Sequence, residues 1–377
     1  MMNRINSRLE SLDILRGFDL FCLVFFQPVL SSLARAFDND GLTAIMTQFR
    51  HVQWEGFVFW DLIMPLFMFM AGVSMPFAFQ KYLNEGSKTR LYKRVLKRVL
   101  LLWIFGMMCQ GNLLAFDFHK IYLYSNTLQA IAMGYLISAV LLIHLGIRGQ
   151  LVATAVLLLG YWGIMTFVGA DGYGRGDFTP DKNFAEYLDR TVLGRFRDGV
   201  KVTDAGLDFG NYRYTWLLSS LNFGVTVMTG VFAGHILKSS KITKVNKAVW
   251  LLGLGILQVI LGVLWGLQMP IIKKIWTSSM TLYSSGLCFI LMAIFYYVID
   301  CLGKGKYVGW LKIYGMNSIL AYLLFSIVDF SSVVHSLFFG LEQFLGKGYQ
   351  PFARLCSVSL IFLILYFLAK RKVYLKV

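Results

Sequence analysis

The sequence predicts an all-α, polytopic transmembrane helix bundle of about ten spans. Of its 377 residues, 57% are hydrophobic and only 15% are charged, whereas a soluble domain usually carries about 25% charged residues. The net charge is +16, and the basic residues are concentrated in short loops between apolar runs. This arrangement is typical of the cytoplasmic loops of a membrane protein and argues against a nucleic-acid partner.

The predicted spans follow from the length of the apolar runs, because crossing a bilayer takes roughly 20 mainly apolar residues. They are 14–34, 57–79, 96–116, 125–145, 150–169, 215–237, 248–268, 279–300, 308–328 and 353–370. The segment 331–345 is shorter and interrupted. We expect it to be re-entrant or interfacial.

Loop charges predict that the N- and C-termini are both cytoplasmic. The loop 81–98 carries seven basic residues and one acid, and the loop 238–247 and the C-terminal tail are also basic. Counting 331–345 as an eleventh span would place the basic tail outside, so ten spans are preferred. The long loops at about 35–56 and about 170–214 then lie on the outer side.

The chain reads as a single transmembrane domain over 1–377, with an external loop region at about 170–214. The N-terminus lacks a cleavable signal peptide pattern, which favours a multi-pass protein of a bacterial inner membrane. Five scattered cysteines without CxxC spacing predict neither a disulfide framework nor a metal site. No sequence motif of a soluble nucleotide-binding protein, serine hydrolase or zinc protease is present.

The segment HVQWEGFVFWDLIMPLFMFMAGVS, residues 51–74, is the most informative stretch. It places His51 and Trp54 just before a predicted span and Asp61 within that span. An acid near the middle of a membrane helix costs about 2.5–3.5 kcal/mol, so Asp61 should face a cavity or a partner. A neutral imidazole accepts protons near pH 7. We interpret this segment as one wall of a reaction chamber open to the outer face, although His51 as a purely interfacial residue is the alternative.

Other polar residues in or near the spans have a structural and a functional interpretation. Arg16 and Asp19 share one helix face and form either an ion pair or part of a charged cluster. The basic loop 81–98 either binds the phosphates of a cytoplasmic donor or only sets the topology. Buried amides such as Gln129 either line a polar cavity or bridge helices, for roughly 0.6 kcal/mol apiece.

Two further stretches favour structural roles from sequence alone. Asp189 and Arg190 are expected to form an external structural pair. Trp276, followed by a polar turn, is interpreted first as an anchor in the aromatic belt at the membrane interface.

Six segments occur together in one order: RLESLDILRGFDL, HVQWEGFVFWDLIMPLFMFMAGVS, TLQAIAMGY, YLDRTVLG, PIIKKIWTSS and YGMNSILAY. Together they resemble the heparan-α-glucosaminide N-acetyltransferase family and its bacterial relatives. The resemblance implies an enzyme that moves an acetyl group from cytoplasmic acetyl-CoA, as co-substrate, to the amine of a glucosamine-type sugar across the membrane. It also implies His51 as the active histidine and Asp61 as the acid of the motif.

The predicted site residues combine this resemblance with the polar positions above. The catalytic residues are His51 and Asp61, and no metal is expected. The substrate-binding residues are Gln27, Trp54, Gln129, Lys273, Trp276, Asn317 and Ser318, and the acetyl-CoA-binding residues are Arg16, Arg94 and Arg98.

The sequence is compatible with more than one mechanism and more than one function. His51 acts either as general base toward the acceptor or as an acyl carrier, with Asn317, Ser318 or Gln27 donating to the oxyanion. A transporter of amino sugars or other small polar solutes is the main alternative, and a polysaccharide O-acyltransferase is the second. Expected partners are acetyl-CoA, a small amino sugar or glycan end and the lipid bilayer, with a homodimer as an option and no nucleic acid.

Overall fold

The computed structural model describes residues 9–210 and 214–375. These residues form an all-α structure, which confirms the predicted fold class. The helices are α1 Glu10–Phe21, α2 Gln27–Ala36, α3 Asp40–Thr47, α4 Ile63–Asn84, α5 Lys88–Cys109, α6 Thr127–His144, α7 Ile147–Phe167, α8 Phe184–Leu193, α9 Ser219–Lys238, α10 Lys244–Gly266, α11 Ser278–Tyr296, α12 Leu311–Met316, α13 Ser318–Ile327, α14 Phe330–Phe338, α15 Glu342–Leu345 and α16 Tyr349–Lys370. A small antiparallel hairpin pairs β1 Lys201–Thr203 with β2 Gly206–Asp208.

Eight helical stretches among the described residues are long and apolar enough to cross a membrane. They are Glu10–Ala36, Phe59–Asn84, Thr127–His144, Ile147–Phe167, Ser219–Lys238, Lys244–Gly266, Ser278–Cys301 and Phe330–Lys370. Each contains one of the ten predicted spans or most of it. The other two predicted spans, 96–116 and 308–328, are also largely helical but differ from a continuous apolar helix.

The predicted span 96–116 is misplaced along the chain. The helix is α5, Lys88–Cys109, so it begins within the basic loop and ends seven residues before the predicted end. The backbone leaves helical geometry at Gln110, with φ −134° and ψ −10°. Asn112 and Phe116, further on, adopt left-handed backbone angles with φ of 56° and 52°, and a short 3₁₀ turn lies between them. The predicted span is too long because it includes the apolar residues 113–116, which fold as a turn.

The predicted span 308–328 is broken at Asn317. This residue has φ −121° and ψ 41°, which interrupts the helix between α12 and α13. The neighbouring segment 331–345 forms α14, a 3₁₀ turn and α15. Because α14 has nine residues and each residue rises 1.5 Å, it is far shorter than a hydrocarbon core of about 30 Å.

The described residues pack as two compact units. The first contains the described residues up to Arg50, Lys241–Leu252 and those from Ile290 onward. In it, α1 packs against α12, and α2 and α14 pack against α16. The backbone N–H of Ser11 donates to the Asp300 carboxylate at 3.2 Å.

The second unit comprises the described residues of His51–Ser240 and Gly253–Phe289. Its centre is the pair α4 and α9, with α6 packed against both and α5 packed along α6. Helices α4 and α9 approach closely at two glycines. A Cβ on Gly72 would lie 2.0 Å from the carbonyl oxygen of Val227, and one on Gly230 would lie 2.0 Å from that of Phe69. Only glycine permits this backbone contact, as in other membrane helix pairs with small residues at the interface.

The region between α7 and α9 is held by a buried charge cluster. Glu186 pairs with Arg190 at 2.7 Å and with Arg197 at 2.5 Å. The expected pair of Asp189 and Arg190 is therefore wrong, because adjacent residues of a helix point in different directions whereas residues four apart face each other. Asp189 instead accepts from the backbone N–H groups of Trp216 and Leu217, at 2.7 and 3.0 Å.

The close contact of α4 and α9 can be tested with Gly72→Ala. The added methyl group cannot fit 2.0 Å from a carbonyl oxygen, so the helices must separate, at a cost of about 1–3 kcal/mol. We expect a melting temperature several degrees lower for the detergent-solubilised protein, measured by the loss of the monodisperse chromatographic peak on heating. The matched control is Gly160→Ala on α7, where a Cβ meets nothing within 4 Å. Equal melting of the two variants would contradict the close packing.

Candidate active site

His51 and Asp61 form a direct hydrogen-bonded pair at the start of α4, the central helix of the second unit. The imidazole Nδ1 of His51 lies 2.6 Å from Oδ1 of Asp61. Asp61 is 1% exposed, whereas 41% of the His51 side chain remains accessible. The expectation that the intramembrane acid has a partner is met by this histidine.

Local backbone structure positions the Asp61 carboxylate. Asp61 lies in the 3₁₀ turn Phe59–Leu62 that leads into α4. Its N–H donates to the carbonyl of Val58 at 2.9 Å, and its Oδ2 accepts from the N–H of Val58 at 3.2 Å. This reciprocal bonding holds the carboxylate at the helix start, where the unpaired N–H groups favour negative charge.

Lys273 joins the pair from a distant part of the sequence. Its Nζ lies 3.5 Å from Oδ1 of Asp61 and 3.3 Å from Nδ1 of His51. The segment that carries Lys273 pairs with the segment that carries His51, since the N–H of Gly56 donates to the carbonyl of Ile271 at 2.9 Å. Lys273 is 4% exposed. Burial lowers its pKa to about 8, and Asp61 opposes that decrease.

The three distances assign the proton on His51. A lysine ammonium group has only donors, so it directs its hydrogens to the Asp61 carboxylate. The carboxylate accepts the Nδ1–H of His51 at 2.6 Å. Nε2 is therefore the basic nitrogen of the neutral imidazole, which is the tautomer required of a general base or a nucleophile.

The surroundings keep His51 neutral at physiological pH. Burial by neighbouring protein atoms lowers the pKa of His51, the hydrogen bond to Asp61 raises it, and the charges of Lys273 and Lys274 lower it. The net direction is below the ordinary value of 6.5. The imidazole can therefore accept a proton without first losing one.

Trp54 and Trp276 lie in this unit, but their indole N–H groups are already used. Trp54 donates to the carbonyl of Phe178 at 2.9 Å, and the Lys274 ammonium lies 5.9 Å from its ring. Trp276 is 1% exposed and donates to Oγ1 of Thr226 at 3.2 Å. The interpretation of Trp276 as an aromatic-belt anchor is wrong, because a belt residue faces the membrane interface and this side chain is enclosed by protein.

Gln129 caps the start of α6. Its Oε1 accepts from the N–H groups of Ser125 and Asn126, at 2.8 and 3.1 Å, and its Nε2 donates to the carbonyl of Leu123 at 2.7 Å. The side chain is fully buried. These contacts give Gln129 a structural position, because they satisfy backbone groups that the helix cannot satisfy by itself.

Two arginines of α5 stack on tyrosines of neighbouring helices. The Arg98 guanidinium lies 4.5 Å from the ring of Tyr135 on α6, and that of Arg94 lies 5.6 Å from the ring of Tyr82 on α4. Arg94 and Arg98, two of the three predicted donor-binding arginines, therefore belong to the second unit. Arg16 belongs to the first unit, 3.7 Å from Asp13.

The remaining predicted residues also belong to the first unit. Gln27 begins α2 and is half-buried. The amide of Asn317 is engaged by the C-terminal tail: its Nδ2 donates to the carbonyl of Val373 at 3.0 Å, and its Oδ1 accepts from the N–H of Leu375 at 2.9 Å. Ser318 begins α13 and is half-buried.

Nothing in the sequence predicted that Lys273 contacts His51 and Asp61. Lys273 was predicted only as a substrate-binding residue, and the adjacent Lys274 is an equal cation in the sequence. The two differ only in the structure, because Lys274 contacts the Trp54 ring whereas Lys273 contacts Asp61.

Comparison with known proteins supports the motif assignment. The family model described as "Heparan-alpha-glucosaminide N-acetyltransferase, catalytic" matches residues 8–174, which include His51 and Asp61. The human heparan-alpha-glucosaminide N-acetyltransferase is 27% identical, over 85% of this chain and 53% of its own length. The mouse protein is 26% identical, over 84% of this chain and 53% of its own length.

The predicted resemblance is confirmed. The similar region extends well beyond one motif, since each relative matches more than four-fifths of this chain. The chain nevertheless spans about half the length of these relatives.

The pKa of His51 can be tested through its reaction with diethyl pyrocarbonate, which modifies neutral imidazole. We expect the pH midpoint of His51 modification, read by peptide mass spectrometry, to lie below 6.5. Lys273→Gln should move the midpoint upward, because a neighbouring cation disfavours the imidazolium ion. Lys274→Gln is the matched control and should move it less, since Lys274 is the weakest of the influences on His51. A native midpoint at or above 6.5 would contradict the assigned surroundings.

Proposed function

We propose that the chain is a transmembrane N-acetyltransferase of a bacterial inner membrane. It would move an acetyl group from cytoplasmic acetyl-CoA to the amine of a glucosamine-type sugar on the outer side. The similarity to two proteins named for this reaction supports the reaction class. The observation that carries the proposal is the 2.6 Å hydrogen bond between His51 and Asp61, with Lys273 beside it.

The proposed chemistry needs little more than a positioned base. A thioester is already activated, so the sugar amine attacks its carbonyl carbon while Nε2 of His51 takes a proton from the nitrogen. Asp61 stabilises the imidazolium ion that forms. The tetrahedral intermediate collapses, the carbon–sulfur bond breaks, and the thiolate of CoA leaves and takes up the proton.

The same nitrogen also permits a covalent route. In that route Nε2 attacks the thioester first, the carbon–sulfur bond breaks and the thiolate of CoA leaves. The sugar amine then attacks the acetyl group on His51, the carbon–nitrogen bond to Nε2 breaks, and the freed imidazole takes the amine proton and passes it to the thiolate. Lys273 has one role in both routes, because its buried ammonium group neutralises the charge of Asp61.

In the proposed reaction, acetyl-CoA and the acceptor sugar come from opposite sides of the membrane. The phosphates of acetyl-CoA cannot cross a bilayer, whereas the acceptor lies on the outer side. We propose that Arg94 and Arg98 of the second unit bind the donor from the cytoplasmic side and that the pantetheine arm reaches toward His51. Trp54, Gln129 and Trp276 of the same unit, whose polar atoms have protein partners, are proposed to shape the walls of the chamber.

Replacement of the pair tests the proposal. In proteoliposomes with glucosamine as acceptor, His51→Ala should abolish sugar-dependent release of CoA, and Asp61→Asn should lower it by about 100-fold or more. The asparagine amide would donate to Nδ1 and move the imidazole proton onto Nε2, which removes the base. The control is His119→Ala, at an exposed loop position, and should retain full activity. Wild-type turnover by His51→Ala would exclude the proposed role.

The same vesicles separate the competing functions. Uptake of glucosamine without any CoA release would support a transporter and overturn the proposal. Acetylation of N-acetylglucosamine, whose amine is blocked, would support an O-acyltransferase instead. Acetylation of glucosamine alone is the expected result.

The two chemical routes differ in whether the protein itself becomes labelled. Incubation with radiolabelled acetyl-CoA without sugar, followed by rapid quenching, should leave label on His51 only in the covalent route. His51→Gln is the control, since it cannot carry an acetyl group on an imidazole. Absence of label in the active wild-type protein would assign the direct route.

A further inference from the structure

The exposed face of α5 carries basic residues toward its N-terminus and apolar residues further along the helix. Arg90, Lys93, Lys97, Leu100 and Ile104 follow one another at intervals of three and four residues, which places them along one side of the helix. All five are exposed, Leu100 by 60% and Ile104 by 37%. We call these five residues the α5 stripe.

The opposite side of α5 is packed against the protein. Leu91, Val95 and Leu102 are buried, and Arg98 stacks on Tyr135 of α6. None of the five stripe residues is one of the arginines proposed to bind the donor, although the exposed Arg94 is a helical neighbour of Arg90 and Lys97. The sequence of α5 contains no aspartate or glutamate that would neutralise the stripe along the helix.

Contacts with α6 establish the depth of α5. The hydroxyl of Tyr92 lies 2.6 Å from Nε2 of His144, at the end of α6. A Cβ on Gly106 would lie 2.6 Å from Gln129, near the start of α6. The two helices are thus antiparallel over their full length, and α6 is long and apolar enough to span a membrane. Helix α5 lies beside it along most of this length.

The residues of the α5 stripe lie at different depths along the helix. Arg90 and Lys93 lie near the level at which α6 ends, and each further residue lies about 1.5 Å deeper. Lys97 is therefore about 6 Å deeper than Lys93, beside exposed leucines. A lysine at such a position extends its side chain toward the interface, where the anionic headgroups of the cytoplasmic leaflet lie.

We propose that the α5 stripe binds one anionic phospholipid of the cytoplasmic leaflet. The headgroup phosphate contacts Arg90, Lys93 and Lys97, and an acyl chain lies along Leu100 and Ile104. The charge of the stripe matches the phosphate, and the apolar half accounts for the chain. A soluble phosphate compound would use only the cationic half. This site is independent of the acetyltransferase proposal.

Native mass spectrometry of the purified protein tests the site. Titration with phosphatidylglycerol and with phosphatidylcholine should show at least about tenfold tighter binding of the anionic lipid. The variant R90Q/K93Q/K97Q should lose about 100-fold in affinity for phosphatidylglycerol, because each basic residue near an anionic surface contributes about fivefold. The single variant K93Q should lose about fivefold, and it provides the test if the triple variant fails to fold.

The matched control removes three exposed lysines outside α5, as K81Q/K304Q/K370Q. It has the same net charge as the triple variant and should retain the lipid preference. An equal loss in the control would show a general charge effect and overturn the site. Displacement of phosphatidylglycerol by millimolar CoA or inorganic phosphate would overturn the lipid assignment in favour of a soluble ligand. Leu100→Ser should weaken binding of the long-chain lipid.

Discussion

The burial of the Asp61 carboxylate is the constraint on which the candidate site depends. A buried charge is costly unless it is paired and hydrogen-bonded. Asp61 is 1% exposed and receives hydrogen bonds or charge from three directions: His51, Lys273 and the N–H of Val58. Each partner lies on chain outside the apolar helix, so the acid brings these segments together. The requirement that stabilises Asp61 also fixes the histidine tautomer that leaves Nε2 basic.

The segment that carries Lys273 is held by helices of the same unit. Ser278 donates to the carbonyl of Leu158 on α7 at 2.8 Å, and Asn222 of α9 donates to the carbonyl of Trp276 at 2.7 Å. The hydroxyl of Tyr161 donates to the carbonyl of Ile275. These bonds satisfy irregular backbone within a bundle of apolar helices, where an unpaired carbonyl group is costly. They also give Lys273 a fixed position, which a functional cation requires.

Many of the polar groups that first suggest a cavity satisfy the backbone. Gln129 caps α6, and Asn317 binds the C-terminal tail where its helix is broken. An apolar interior favours such roles, because each helix end leaves unpaired N–H or carbonyl groups. His51 differs from these residues in a simple way. Its Nδ1 takes part in the hydrogen bond to Asp61, and Nε2 is the nitrogen proposed to act in acetyl transfer.

The sequence by itself determined the fold class, the approximate helices and the need of Asp61 for a partner. These features follow from hydropathy and from the cost of a charge in lipid, which are properties of single segments. The helix break at Asn317 and the early end of α5 needed the tertiary structure, because they depend on backbone angles and on distant contacts. The third member of the site also needed it. Lys273 lies 222 residues from His51, and no local pattern distinguishes it from Lys274. Only the pairing of the segments around Gly56 and Ile271 decides which ammonium group reaches the carboxylate.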